Sequence, residues 1–229
     1  MFCNFISNGS LWNEQFARGF IDAGLDEIRF SFYGQDKQKY EEVHRGLNFE
    51  ITRKNIYNLI ELREKMGSNT PTILVYFLNL SQNQDQQDAF REEWEPVADF
   101  IEIWRPHNFT DGREYRDLNV PREKESCGRP KKGPIQFQYD GTMIPCCYDY
   151  AGKVVLGDYN EQSIPEILKG EEYEALRQAH EKEDYRDQPL CDNCDQLLEH
   201  SDALVYTNRH NLPPEEAVVL TNSNHYQLK

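Results

Sequence analysis

Apolar residues in the first hundred positions recur in two different rhythms. Residues 2–6, 27–32, 72–78 and 100–104 read as short strands. The run at 72–78 is nearly continuous, the pattern of a strand covered on both faces. The stretches between them carry helical spacing. Ser10 is placed to cap a helix reaching about residue 23, with Trp12, Phe16, Phe20 and Ala23 on one face and Gly24 as its stop. A short helix is expected at 36–44. A longer one is expected at 50–66, with Ile56, Leu59 and Ile60 inward and Gly67 just beyond its end. A polar helix at 84–97 is disturbed by Pro96. Strand–helix alternation of this kind predicts a parallel sheet with right-handed crossovers.

Sites in such sheets lie at the carboxyl ends of the strands. That rule sets Ser7-Asn8-Gly9, residues 31–34, Asn79 and residues 105–108 on one rim. Composition alone leaves them as ordinary turns. Four strands are too few to close a barrel, which takes about eight. The strand at 2–6 would leave an open edge carrying Phe2 and Phe5. Natural sheets cover such edges, so the expected cover is another chain, an oligomer partner or an N-terminal segment.

From residue 127 the pattern changes. Residues 135–139 alternate apolar and polar, Asp140-Gly141 is a two-residue hairpin signal, and residues 142–145 return. The hairpin delivers Cys146-Cys147 to its base and brings Cys127 near Cys146. Two helices are expected, at 163–169 with Ser163 as cap and at 171–181. A CxxC knuckle follows, Cys191-Asp192-Asn193-Cys194. Four thiols, Cys127, Cys146, Cys191 and Cys194, make a tetrahedral set that suits zinc or an iron–sulfur cluster. Zinc ribbons usually pair two CxxC knuckles. Here an isolated cysteine and a Cys-Cys pair form the first half, which favours iron–sulfur. Cys147 is expected as a spare buried thiol and Cys3 as a core residue. The histidines show no HxxxH or HExxH pairing, and no P-loop or Ser/His/Asp arrangement is present.

Composition narrows the field. The net charge is −15 over 229 residues. This argues against nucleic-acid or anionic-membrane binding, which needs a basic footprint. No apolar run is long enough to span a bilayer, and residues 1–9 lack the features of a signal peptide. A cytoplasmic setting, with reduced thiols free to bind metal, is the expectation. Residues 105–133 are locally basic and suit an anionic group.

Residues 127–194 resemble the auxiliary-cluster module of radical S-adenosylmethionine (SAM) enzymes, called SPASM in its full form and twitch in its short form. The matching residues are Cys127, Ile135 through Gly141, Pro145-Cys146-Cys147, Leu156-Gly157-Asp158, Ser163-Ile164-Pro165-Glu166-Ile167 and Cys191-x-x-Cys194. The cysteine count is closer to the single-cluster version. Residues 1–104 are similar to the second half of the family's partial (β/α)6 barrel. Ile6-Ser7-Asn8-Gly9 is similar to its TNG turn, and Arg29 through Gly34 to the strand end that follows. The resemblance implies an α/β fold: an incomplete TIM-type barrel of later strands at 1–106, a small α+β SPASM/twitch domain with connector at 107–195, and a tail at 196–229. It implies one auxiliary [4Fe–4S] cluster on Cys127, Cys146, Cys191 and Cys194, acting as an electron relay while a peptide or small molecule is modified. Ser31, Arg45 and Asn8 match positions near bound SAM, and His107 and Asn108 would face substrate. The family's CxxxCxxC is absent from these residues, as are its first two strands, so a truncated or split member that does not cleave SAM alone is expected. The expected partners are a barrel half supplying that motif and a reductant such as ferredoxin or flavodoxin. The competing reading is a non-catalytic four-cysteine zinc or iron–sulfur scaffold that binds a partner protein.

Overall fold

The computed structural model describes residues 2–110, 124–197, 203–207 and 226–228. It divides into two units, Met1–Pro106 with Ser201–Lys229, and His107–His200.

The first unit is built on one sheet. Strands β1 (Asn4–Ser7), β2 (Glu27–Ser31), β3 (Thr72–Leu78) and β4 (Phe100–Trp104) run parallel in that order. Helices α1 (Glu14–Asp22), α2 (Lys37–Val43), α3 (Phe49–Lys65) and α4 (Gln87–Trp94) connect them, as the two rhythms predict. Two further strands extend the sheet: β8 (Ala203–Thr207), antiparallel to β4, and β9 (Tyr226–Leu228), parallel to β8. The sequence reading gave neither segment a strand. Ala203-Leu-Val-Tyr-Thr207 has strand composition, but it lies within a polar surrounding that masks so short a run.

Alternation along the strands separates two faces. Ile28, Phe30, Phe32, Ile73, Val75, Phe77, Ile101 and Ile103 join the helices in one buried core. The α3 positions Ile56, Leu59 and Ile60 lie in this core as their spacing requires. The opposite face is mixed. It carries Leu74, Tyr76 and Phe100 together with buried Glu27, Arg29 and Glu102. Arg29 contacts Glu27 and the Tyr76 hydroxyl, and Trp104 Nε1 donates to Glu102 Oε2 at 2.7 Å. Burial pushes the Glu102 carboxyl up to about 7.

Several local expectations are corrected. Helix α1 is capped by Asn13, whose Oδ1 accepts from Phe16 N at 3.0 Å, and not by Ser10. Ser10 instead donates through N and Oγ to Asn8 Oδ1. The buried residues of the helix are Ala17 and Ile21, with Trp12 and Phe20 at the same core as expected, whereas Phe16 is 54% exposed and Ala23 also exposed. The polar helix expected at 84–97 divides into a 3₁₀ turn, Gln84–Gln86, and α4. Cys3 is exposed rather than buried, because it lies just before β1, which pairs with β2 alone.

The second unit holds α5 (Arg129–Lys132), a three-stranded antiparallel sheet of β5 (Gln136–Phe137), β6 (Thr142–Ile144) and β7 (Gly157–Asp158), and helices α6 (Ile164–Leu168), α7 (Glu171–Lys182) and α8 (Pro189–Asp192). Gly141 has φ +93° at the hairpin turn, a conformation that favours glycine, and a Cβ there would displace the Asn160 side-chain amide. Ser163 caps α6 in a capping box with Glu166, as its position suggested.

Candidate metal centre

The hairpin of β5 and β6 holds its register through Gln138 N donating to Thr142 O at 2.8 Å, and it ends at Ile144. The chain leaves it through Pro145 into Cys146. Arg129, two residues past Cys127, lies within electrostatic reach of Cys127, Cys146 and Cys147. The hairpin therefore unites Cys127 and Cys146 as the sequence reading required. The CxxC knuckle turns at the end of α8, where Cys194 N donates to Cys191 O at 3.0 Å. Cys191 is buried in a core of Met143, Leu156, Ile167, Tyr173, Leu176, Tyr185 and Leu197, and Cys127 and Cys194 pack against it.

The thiols influence one another. Cys191 is pushed up to about 12, first by burial and then by Cys127 and Cys146. Cys146 is pushed up to about 11 by burial, Cys147 and Cys127, against relief from a Tyr148 backbone hydrogen bond and Arg129. Cys194 is raised by burial, Asp195, Cys146 and Cys191. Burial and the neighbouring sulfurs disfavour bare thiolates here, and a cationic metal core would offset that cost. The donor set thus fits an iron–sulfur cluster. Among the described residues no three Cys, His, Asp or Glu side chains form a ready-made site for a single ion. A four-iron cluster instead spreads its thiolates over several irons.

Polar contacts fix the knuckle. Asp195 Oδ2 accepts from Asn108 N at 2.9 Å, and Asn108 Nδ2 donates to Asn193 O at 2.6 Å. Gln196, buried, meets His107 Nδ1 at 2.9 Å and accepts from the Tyr148 hydroxyl at 3.1 Å. Arg129 stacks over the Tyr148 ring at 4.9 Å. Glu125 N donates to Leu197 O at 2.7 Å, and Lys124 Nζ to Asp192 Oδ1 at 2.7 Å, so the segment before Cys127 is laced to the segment around Cys194. His107 and Asn108, expected to face substrate, spend these atoms on positioning the cysteines. Cys147, expected buried, is exposed at the start of a turn, because β6 ends before it.

The residues matched to SAM positions lie in the other unit. Asn8 follows β1, and Ser31 ends the neighbouring parallel strand β2, so both stand at carboxyl ends. The Ser7-Asn8-Gly9 turn is tied by Asn55 Nδ2 donating to Gly9 O at 2.9 Å and by Trp12 Nε1 donating to Ser7 Oγ at 3.1 Å. Ser31 Oγ accepts from the Tyr33 hydroxyl at 3.1 Å. Arg45 is exposed beyond α2. Among the described residues no hydrogen bond or ion pair joins Asn8, Ser31 and Arg45. Arg129, Gln196, Asp195 and His180 escaped the sequence reading. Adjacency to a cysteine was the only signal for the first three, and His180 had none.

Residues 127–195 match the family model described as SPASM, iron–sulfur cluster-binding domain. The structure is similar to native anSMEcpe with bound AdoMet, at TM-score 0.54 and 13% identity, covering 86% of this chain and 68% of that one. A histidine-tagged form of anSMEcpe with bound AdoMet gives TM-score 0.51 at 13% identity, over 86% of this chain and 65% of that one. BtrN in complex with AdoMet and 2-DOIA gives TM-score 0.47 at 17% identity, over 84% of this chain and 59% of that one. The chain thus spans 59–68% of the length of these structures. No curated protein matches it in sequence. No helix among the described residues is long and apolar enough to cross a membrane. Residues 127–195 thus belong to an iron–sulfur cluster-binding domain of the SPASM type, and the α/β fold of the chain is similar to that of anSMEcpe.

Proposed function

We propose that this chain is the auxiliary-cluster portion of a radical SAM enzyme and holds one [4Fe–4S] cluster on Cys127, Cys146, Cys191 and Cys194. One observation carries the reading: Cys127, Cys191 and Cys194 meet at one buried core, with Cys146 within electrostatic reach of Cys127 and Cys191, inside the segment that matches the SPASM model. When bound, such a cluster supplies one-electron transfer. Four thiolates complete its coordination, so relay is favoured over substrate binding at iron. Burial of Cys191 limits the access of water to its sulfur, and Arg129 lends positive charge beside Cys127 and Cys146. Gln196, Asp195, His107 and Asn108 hold the knuckle in place.

The 229 residues contain no CxxxCxxC, so AdoMet cleavage needs three cysteines from outside them. Asn8, Ser31 and Arg45 are proposed to contact AdoMet once that triad is present, the hydroxyl and guanidinium suiting ribose and carboxylate. A barrel half or a second copy is proposed to cover the β1 edge, and a cytoplasmic ferredoxin or flavodoxin to supply electrons. The substrate class proposed is a peptide or small molecule. Anaerobic reconstitution with iron and sulfide tests the reading. The expected product is brown, absorbs broadly in the near-ultraviolet and visible, and holds about four irons per chain. A colourless protein with one zinc would replace it with the scaffold reading.

A further inference from the structure

His180 stands in the last turn of α7 and is buried. Both of its ring nitrogens are engaged. Nδ1 meets Ser126 Oγ at 3.0 Å, and Nε2 meets Cys191 Sγ at 3.5 Å. The Tyr185 ring packs edge-on against the imidazole at 5.1 Å. The arrangement is therefore a relay of three groups, hydroxyl to imidazole to sulfur, built from the segment before Cys127, from α7 and from the knuckle.

We propose that His180 is a positioning residue that donates an Nε2–H···Sγ hydrogen bond to the Cys191 thiolate and so raises the reduction potential of the cluster bound there. This rests on the cluster reading above. A metal-bound thiolate has no proton and can only accept, so the hydrogen must sit on Nε2. Ser126 suits that tautomer. Gly128 N donates to Ser126 Oγ at 3.2 Å, which leaves the hydroxyl hydrogen free to point at Nδ1. Reduction adds negative charge to the sulfurs, so a fixed donor stabilises the reduced form more than the oxidised form. Groups that contact metal ligands commonly act this way.

The test is a redox titration of the reconstituted protein followed by electron paramagnetic resonance, on wild type, His180→Phe, His180→Gln and Ser126→Ala. His180→Phe keeps a ring and removes the donor. Its midpoint is expected to move negative by roughly tenfold in the reduced-to-oxidised ratio, about 59 mV for one electron. Ser126→Ala removes the contact that holds the ring on its Nδ1 side and is expected to move the midpoint the same way by less. His180→Gln places an amide N–H near the Nε2 position and is expected to stay close to wild type. A fully loaded His180→Phe protein with an unmoved midpoint overturns the proposal. If His180→Phe takes up no cluster, Ser126→Ala decides on the same criterion. A wild-type protein without a cluster overturns the parent reading and this one with it.

Discussion

At the scale of single residues, the six cysteines divide by surroundings rather than by spacing. Cys191 is buried, Cys127, Cys146 and Cys194 are half-buried, and Cys3 and Cys147 are exposed. Cys191→Ala or Cys194→Ala should therefore remove most bound iron, while Cys147→Ser and Cys3→Ser should leave iron and sulfide content unchanged. Metal analysis after reconstitution separates the two groups, and loss of iron from Cys147→Ser would reassign the ligand set. Glu102 makes a different prediction. Its folded value of about 7 lies above the ordinary 4.5 because burial favours the neutral acid. The folded chain thus keeps this proton to higher pH than the unfolded chain does. The stability it contributes is full below about 4.5 and is lost as pH rises through about 7, a change on the order of 3 kcal/mol. Urea unfolding between pH 5 and pH 8 should show that fall, and Glu102→Gln should flatten it. An unchanged slope in the variant would place the titration elsewhere.

At the scale of elements, a buried ion pair joins α3 to the start of β4 beside the apolar core they share. Arg63 contacts Asp99 and donates to Pro71 O at 2.8 Å, while Asp99 Oδ2 also accepts from Ile73 N at 2.7 Å. Arg63→Met would leave the Asp99 carboxylate buried and without its counter-charge. The expected loss is about 3–5 kcal/mol, read as a lower urea midpoint. A loss below about 1 kcal/mol would show that water reaches Asp99. The strand β3 was legible in sequence as a nearly unbroken apolar run, β2 and β4 as short strand-length segments, and α3 by its amphipathic spacing. The start of α1 was not, since Ser10 and Asn13 are equally good caps and only the contact of Ser10 with Asn8 decides between them. The strands β8 and β9 were not legible either, because β8 pairs with β4, about a hundred residues earlier in the chain, and β9 pairs only with β8.

At the scale of the whole molecule, the two units face different stability problems. The sheet unit has a core of some twenty side chains, whereas the cysteine unit gathers about eight and needs a staple. Oxidative removal of the cluster should therefore loosen residues 124–197 first. Hydrogen exchange on reconstituted and cluster-free protein should show protection lost there and kept in β2, β3 and β4. Equal loss in both regions would mean that the units unfold together. The sequence by itself determined the strand–helix alternation, the hairpin at Asp140-Gly141 and the identity of the four candidate ligands. Each is written in local periodicity, turn chemistry or side-chain type. Only the tertiary structure decided which sulfurs are buried, that His107 and Asn108 hold the knuckle, and that His180 reaches Cys191. Those outcomes depend on residues far apart in the chain meeting across a packed core, and no local pattern records such a meeting.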